Sequence, residues 1–513
     1  MKEAKKKIET AFISVYNKEN INTLVRCLHS LNIKIISTGG TEKYIKNLGI
    51  NVHPVEKLTD FPSILGGRVK TLHPKVFGGI LNRRDYNSDL EEIQKFNICN
   101  IDMVIVDLYP FEKTVQNSES TDQDIIEKID IGGVSLIRAA AKNFKDVFVV
   151  PSTNLFTEAK DILKKNNGET SKENRKIFAK KAFQICSEYD THIYKWFNNE
   201  KDSLSENMNL TFPNSQTLRY GENPHQKGKF YGELQSIFTQ IHGKEISYNN
   251  LLDIDSAINL ISDFNETTFC VLKHNNPCGV ASKSSILNSW NKALEGDPIS
   301  AFGGVLITNH EVNIETAKKI NELFFEIIIA PNYSTESLEI LQSKKNRIIL
   351  KLKKNTIVPN IIYKSVLNGI LAQEKDVLID CEEILEKITK LKPTKNQLED
   401  LLFASKVCKH TKSNAIVLVK DKQLIGIGCG QTSRIDALKQ AIKKAENFGF
   451  NLNGAVMASD AFFPFPDCVE IAYQNGVKAI IQPGGSINDK LSIDFCNQNN
   501  ISMVLTKTRH FKH

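Results

Sequence analysis

Short apolar runs alternate with amphipathic stretches over the first 150 residues. Ala11-Phe12-Ile13-Ser14-Val15-Tyr16 reads as a strand, and helical spacing follows it through Leu31. Ile33-Lys34-Ile35-Ile36-Ser37 reads as a second strand, followed by a Thr38-Gly39-Gly40-Thr41 turn and another helix. Ile101 to Leu108 and Val147 to Val150 add two more strands. Strands alternating with helices predict a mainly parallel sheet covered on both faces. Phe178, Ala182, Ile185, Cys186, Tyr189, Ile193 and Phe197 keep helical spacing and predict a packed amphipathic helix. The polar stretch from Asn198 to Asn214 marks a boundary. Further on, Phe269-Cys270-Val271-Leu272 reads as a buried strand, and Asn-Pro followed by Gly predicts a turn after it. Lys273 and His274 therefore stand where a strand ends, the place where open α/β sheets hold ligands. The alternative is a solvated Lys beside a structural His.

At 513 residues the length suggests about three or four domain-sized units. The patterning divides the chain into residues 1–150, a helical connector over 151–214, and residues 215–513. The net charge is +7, with 66 basic and 59 acidic residues, and apart from Lys5-Lys6-Lys7 the charges are interspersed. That argues against a nucleic-acid surface and favours small anionic ligands. Ten cysteines are scattered without a Cys-x-x-Cys, as expected of reduced thiols. No signal-peptide core and no apolar run near 18 residues is present, so a cytoplasmic protein with no membrane span is expected.

Candidate chemistry gathers in the loops. The Thr38-Gly39-Gly40-Thr41 segment offers backbone N–H groups and hydroxyls to a phosphate at a helix N-terminus, or is a plain strand-to-helix turn. Leu65-Gly66-Gly67-Arg68-Val69-Lys70-Thr71-Leu72-His73-Pro74 puts two glycines, two cations and a hydroxyl in one loop, with Val69 and Leu72 expected to pin it. Asp130-Ile131-Gly132-Gly133 opens a helix reaching Lys142, with Asp130 as N-cap or as an acceptor in a ligand pocket.

These segments together resemble the inosine monophosphate cyclohydrolase domain of the bifunctional purine-biosynthesis enzymes, over roughly Ala11 to Lys142. The resemblance implies a methylglyoxal-synthase-like fold. It also implies dehydrative closure of a formamido-imidazole-carboxamide ribotide to inosinate. Matching positions give Ser14, Lys18, Thr38, Gly39, Gly40, Thr41, Arg68, Thr71, Asp107 and Ile131 as nucleotide contacts. They give Lys70, Tyr109, Asp130 and Lys142 as catalytic groups. Such a closure is intramolecular, so positioning supplies much of the catalysis. The oxyanion that develops wants a cation or a hydroxyl donor, roles that suit Lys70, Lys142 and Tyr109, with Asp130 orienting the carboxamide. Tyr16 stands where the family usually has Ser, and Asp107 where it has Asn.

The second part of the chain carries Leu218-Arg219-Tyr220-Gly221-Glu222-Asn223-Pro224-His225-Gln226 and later Ser459-Asp460-Ala461-Phe462-Phe463-Pro464-Phe465. The phenylalanine run reads as core or interface, or as an apolar slot for a flat heterocycle rimmed by Asp460 and Asp467. Gly426-Ile427-Gly428-Cys429-Gly430 imitates a dinucleotide fingerprint, but Gln431 occupies the place of its third glycine. Pro277-Cys278 imitates a zinc-deaminase signature, but position 281 is Ala and no Glu stands two residues after His274, so no zinc is expected.

Arg-Tyr-Gly-x-Asn-Pro-His-Gln, Lys-His-x-Asn-Pro-x-Gly and Ser-Asp-Ala-Phe-Phe-Pro-Phe, from Leu218 to His513, resemble the AICAR transformylase domain of the same family. The resemblance implies two cytidine-deaminase-like lobes and formyl transfer from 10-formyltetrahydrofolate, a co-substrate rather than a tightly bound cofactor. It implies Lys273 and His274 as catalytic residues. Substrate contacts would be Arg219, Tyr220, Gly303, Glu326, Asn414, Arg434, Phe462, Asp467, Ser486 and Arg509, with Ile435 and Ile487 on the folate side. Small nucleotide and folate partners and a homodimer follow from the same resemblance. A nucleotide-sensing module fused to one working transferase, and a deaminase-like hydrolase, are the rival readings.

Overall fold

The computed structural model describes residues 5–198, 207–212, 214–354 and 360–513. Part of the expected connector, 199–206, and residue 213 of the expected boundary therefore lie outside the described residues. The chain forms two compact units, Met1–Thr211 and Phe212–His513. That is fewer than the length suggests, because the second unit is one continuous sheet.

The first unit is built on five parallel strands in the order His53–Pro54, Lys34–Ser37, Thr10–Ser14, Met103–Val106, Phe148–Val150. The strands read as near-continuous apolar runs because helices cover both faces, and Phe12, Ile13, Ile36, Val104 and Phe148 are all buried. Chain order reverses between Thr10–Ser14 and Met103–Val106, which opens a crevice at their carboxyl ends. The first strand stops at Ser14, two residues short of the sequence expectation. The Asp107 carboxylate takes the backbone N–H groups of Tyr16 and Asn17, so these cannot extend the ladder. The amphipathic helix spans Lys172–Phe197, starts in a Ser171/Asn174 capping box, and lays Phe178 on Phe148 at 4.6 Å between ring centroids.

The second unit holds a sheet of twelve strands that is the same design used twice. Each half runs edge strand, helix, β-hairpin, helix, then three parallel strands separated by helices. In the first half the edge strand is Phe238–His242, the hairpin is Thr268–Lys273 with Asn276–Ser282, and the parallel strands are Val305–Thr308, Ile327–Ala330 and Ile348–Leu352. In the second they are Glu386–Lys387, Ile416–Lys420 with Gln423–Gly428, and Val456–Ser459, Ala479–Gln482 and Ser502–Leu505. The two hairpins meet at Ala281 and Gln423 and join the halves. Among the described residues no helix is long and apolar enough to cross a membrane.

The turn expected at Asn-Pro-x-Gly is placed differently. His274 and Asn275, with φ of 51° and 64°, make a two-residue hairpin turn, and Asn276, Pro277, Cys278 and Gly279 belong to the returning strand. Pro277 is tolerated there because it sits opposite Leu272 at a register shift, and the strand's other neighbour pairs only at Ala281.

Candidate active sites

The crevice of the first unit is a cleft of about 1030 Å³. Ser14, Tyr16 and Lys18 follow the central strand, Thr38, Gly40 and Thr41 follow its neighbour, and Asp107 and Tyr109 follow Met103–Val106. Arg68, Lys70 and Thr71 enter from the glycine loop, and Asp130 and Ile131 from the start of the Gly132–Lys142 helix. The structure thus brings together all the residues expected for this cleft except two. Lys142 is exposed at the far end of an 11-residue helix, about 15 Å from the end that lines the cleft, so within one chain it stands apart from the others. Gly39 is not among the residues that line the cleft.

Lys18 and Lys70 converge on the N-terminus of the helix Gly39–Asn47. A Cβ at Gly40 would lie 3.7 Å from the Lys18 ammonium, and one at Gly39, where φ is +40°, 3.3 Å from that of Lys70. Two ammoniums beside free helix N–H groups make an anion site. The Thr41 hydroxyl is committed to the backbone of Val15, donating to its carbonyl at 2.9 Å. Thr38 Oγ1 bonds Ser14 Oγ at 3.0 Å. In the glycine loop Thr71 is buried, while Leu72, expected to pin it, is 38% exposed. The tight turn closed by the His73 N–H on the Thr71 carbonyl swings Leu72 outward.

The same cleft carries the acid groups. Burial pushes the Asp130 carboxyl up, and the charge of Asp107 adds to this, although the Gly133 N–H donates to it at 2.6 Å. Asp130 thus acts as a cap from one residue before the cap position, which Ile131 holds. Burial, then Asp130 and Tyr16, push the Tyr109 hydroxyl up. Asp107 is also pushed up by burial, against the two N–H groups that it accepts. Tyr16, the unusual residue, sets its ring edge-on to Tyr109 at 5.4 Å, and the Lys128 ammonium lies 5.3 and 5.9 Å from the two ring centroids. Arg68 pairs with Glu127.

Sequence reasoning missed Lys128, Glu127 and Tyr189. Tyr189, on the long helix, donates its hydroxyl to the Lys128 carbonyl and accepts the Asp130 N–H at 2.9 Å. Its helical spacing marks it as core, and nothing in the pattern marks the hydroxyl.

In the second unit Arg434 gathers one cluster. Its guanidinium donates to Asn414 Oδ1 at 2.8 Å, Asp460 Oδ1 at 2.9 Å and the Phe462 carbonyl at 3.1 Å. The Asn276 side chain accepts the Lys412 N–H at 3.1 Å, which ties the Lys273-His274 hairpin to the Asn414 loop. The Lys273 ammonium donates to the Phe302 carbonyl at 2.7 Å, beside Gly303. The Gly303 N–H bonds the Phe324 carbonyl at 2.8 Å, two residues before Glu326, which pairs with Lys244. Asn250 reaches Glu326 at 3.3 Å, and its neighbour Asn249 bonds the Glu222 carbonyl of the Arg219-Tyr220 loop. Asn488, beside Ser486 and Ile487, donates to the Pro464 carbonyl at 2.8 Å and so joins the Phe462–Asp467 loop. Phe463 is core, while Phe462 and Phe465 are exposed. Ile487 is fully exposed, Ile435 is half-buried, and Arg509 rests on Phe511 at 4.3 Å. Among the described residues no group of three or more His, Cys, Asp or Glu side chains is arranged to hold a metal ion.

An anion-binding cleft at the switch point of one α/β unit, joined to a duplicated α/β unit with a second polar cluster, defines a two-part enzyme. A model for "MGS-like domain" matches residues 20–135, and one for "AICARFT/IMPCHase bienzyme" matches residues 140–444. The chain is 54% identical over 99% of both lengths to the bifunctional purine biosynthesis protein PurH of Bacteroides thetaiotaomicron. It is 47% identical to the protein of the same name from Aquifex aeolicus, over 98% of this chain and 100% of that one. The chain belongs to the AICARFT/IMPCHase bienzyme family.

Proposed function

We propose that the two units divide the two reactions of the family. The chain is a bifunctional enzyme of purine biosynthesis, covering the last two steps to inosinate. In our assignment the second unit, with two cytidine-deaminase-like lobes, transfers formyl from 10-formyltetrahydrofolate to AICAR. The first closes the product to inosinate. Folate would contact Ile435 and Ile487, and a cytoplasmic homodimer is the expected state.

The observation that carries the first assignment is the pairing of Lys18 and Lys70 at one helix N-terminus, in the same cleft as Asp130 and Tyr109. The ammoniums and helix N–H groups would anchor the 5′-phosphate. Asp130 takes a carboxamide proton as that nitrogen bonds the formyl carbon, Tyr109 or Lys70 donates to the formyl oxygen, and that oxygen then leaves as water. The raised Asp130 carboxyl moves toward neutral pH, as suits a proton acceptor, and the raised Tyr109 phenol keeps its proton, as suits a hydrogen-bond donor to the formyl oxygen.

In formyl transfer the AICAR amine attacks the formyl carbon and forms a C–N bond. His274 takes the amine proton and Lys273 neutralises the charge on the formyl oxygen. The intermediate then collapses, the bond to the folate nitrogen breaks, and that nitrogen recovers a proton. The Lys273–Phe302 bond places the ammonium at the Gly303 loop.

The test supplies the full chain first with AICAR and formyl-folate, then with formyl-AICAR alone. Inosinate should form in both. Formyl-AICAR that binds but is never closed would favour a sensing first unit.

A further inference from the structure

We propose that Asp253 is a positioning residue for formyl transfer: it locks the turn that carries Lys273 and His274 and orients the His274 imidazole. The proposal rests on the assignment of His274 as the base.

The duplicated sheet contains its own comparison. Asp253 and Asp400 are each the sixth residue of the helix before the hairpin, in Tyr248–Ile261 and Lys395–Lys409. Both hairpins turn through two residues with positive φ, His274 and Asn275 at 51° and 64°, Asp421 and Lys422 at 51° each. Non-glycine residues adopt this conformation at a cost, so such a turn persists only where something holds it. In the second half Asp400 does so completely, because its two carboxylate oxygens take the N–H groups of Asp421 at 2.8 Å and Lys422 at 2.6 Å.

The first half keeps the clamp but uses half of it. Asp253 Oδ1 takes the Asn275 N–H at 2.8 Å, and among the described residues its second oxygen makes no hydrogen bond. The turn that takes only one of the two oxygens begins with a histidine, where the second half has Asp421. Asp253 holds the N–H of Asn275, the residue next to His274, so the clamp fixes the backbone that carries the imidazole; burial pushes the carboxyl up, and the Asn275 N–H opposes this. The other charge acting on Asp253 is that of Glu326, which pairs with Lys244 at 3.1 Å, while the ammonium of Lys273, next to His274 in the chain, is held on the Phe302 carbonyl. A carboxylate beside an imidazole fixes its ring and stabilises the imidazolium formed when the amine proton arrives.

The experiment compares Asp253→Asn with Asp400→Asn in the full chain. The amide oxygen can still take one turn N–H in each variant, so both turns keep a clamp. The readout is kcat/KM for formyl transfer from pH 5 to 9, with thermal melts for folding. Removing the carboxylate makes the imidazole easier to deprotonate, so Asp253→Asn should move the acid limb down by roughly half a unit to one unit. It should also lower the optimum rate about ten-fold. Asp400→Asn should leave the limb in place. An unmoved limb in Asp253→Asn overturns the proposal. His274→Ala separates the two levels: transfer near the parental rate in that variant refutes the base assignment itself. Loss of transfer there with an unmoved Asp253→Asn limb refutes Asp253 alone.

Discussion

Arg434→Met removes the node of the second-unit cluster while keeping a side chain of similar length. The side chain of Arg434 is 10% exposed and that of Asp460 0%, so the variant leaves a buried carboxylate without its cation. Breaking one side of a buried pair costs about 3–5 kcal/mol. The bonds to Asn414 and Phe462 are lost as well, at about 1 kcal/mol each, but they share one guanidinium and do not simply add. A destabilisation of about 4 kcal/mol is expected. In a unit of this size that lowers its melting transition by roughly 8 °C in scanning calorimetry. Formyl transfer should fall with it, because Asn414 and Phe462 lose the contact that sets their loops, while closure of supplied formyl-AICAR should persist. Adding Asp460→Asn removes the orphaned charge and should restore about half of the stability. Arg434→Met melting within about 2 °C of the parent, with no rescue by the second change, would refute the claim that this ion pair organises the loops.

The remaining predictions concern single groups. Asp107→Asn should leave inosinate affinity within about two-fold, because the carboxylate is committed to the Tyr16 and Asn17 N–H groups, and should cost the first unit about 1 kcal/mol, since an amide offers one acceptor where two are used. Isothermal titration and melts check this, and a ten-fold tightening would show that Asp107 opposes the ligand. His274→Ala and Lys273→Ala should each cut formyl transfer at least about a hundred-fold and spare closure, as steady-state assays of the two half-reactions will show. Burial lowers the His510 imidazole, but the Asp376 and Asp380 carboxylates outweigh burial and raise it to about 9 from 6.5. A group raised in the folded state stabilises below its unfolded pKa and loses that contribution as pH climbs through the folded one. Urea melts should therefore show the second unit losing roughly 3 kcal/mol as pH rises from 6.5 through 9, a slope that His510→Asn should flatten.

Much of the first unit was legible because its strands are buried on both faces and read as unbroken apolar runs. The cleft residues lay in loops with glycine and charge that no core requires. What failed was distance along an element and rotation within a loop. Lys142 belongs to the helix that opens at Gly132, but a helix carries its two ends apart, so continuity of pattern did not put Lys142 in the cleft of its own chain. Leu72 is apolar, yet the turn around it puts the Thr71 hydroxyl inward. The tightness of the His274-Asn275 turn was hidden because Asn-Pro-x-Gly is itself a strong turn signal. The duplication of the second unit left no visible repeat, since a sheet needs apolar strands in matching places but not matching residues.

That duplication explains where chemistry could arise. Both halves must hold a strained two-residue turn between the same two strands, and both do it with a carboxylate from the same place on the preceding helix. The second half occupies that carboxylate fully and carries Asp421-Lys422 on its turn, so the clamp is purely architectural there. In the first half a histidine replaces the aspartate at the start of the turn, and one carboxylate oxygen is spared. A carboxylate already half-buried and already bonded to the turn needs only that one exchange of side chain to serve an imidazole placed there. Rigidity comes from the fold, and reactivity from the residue placed on it.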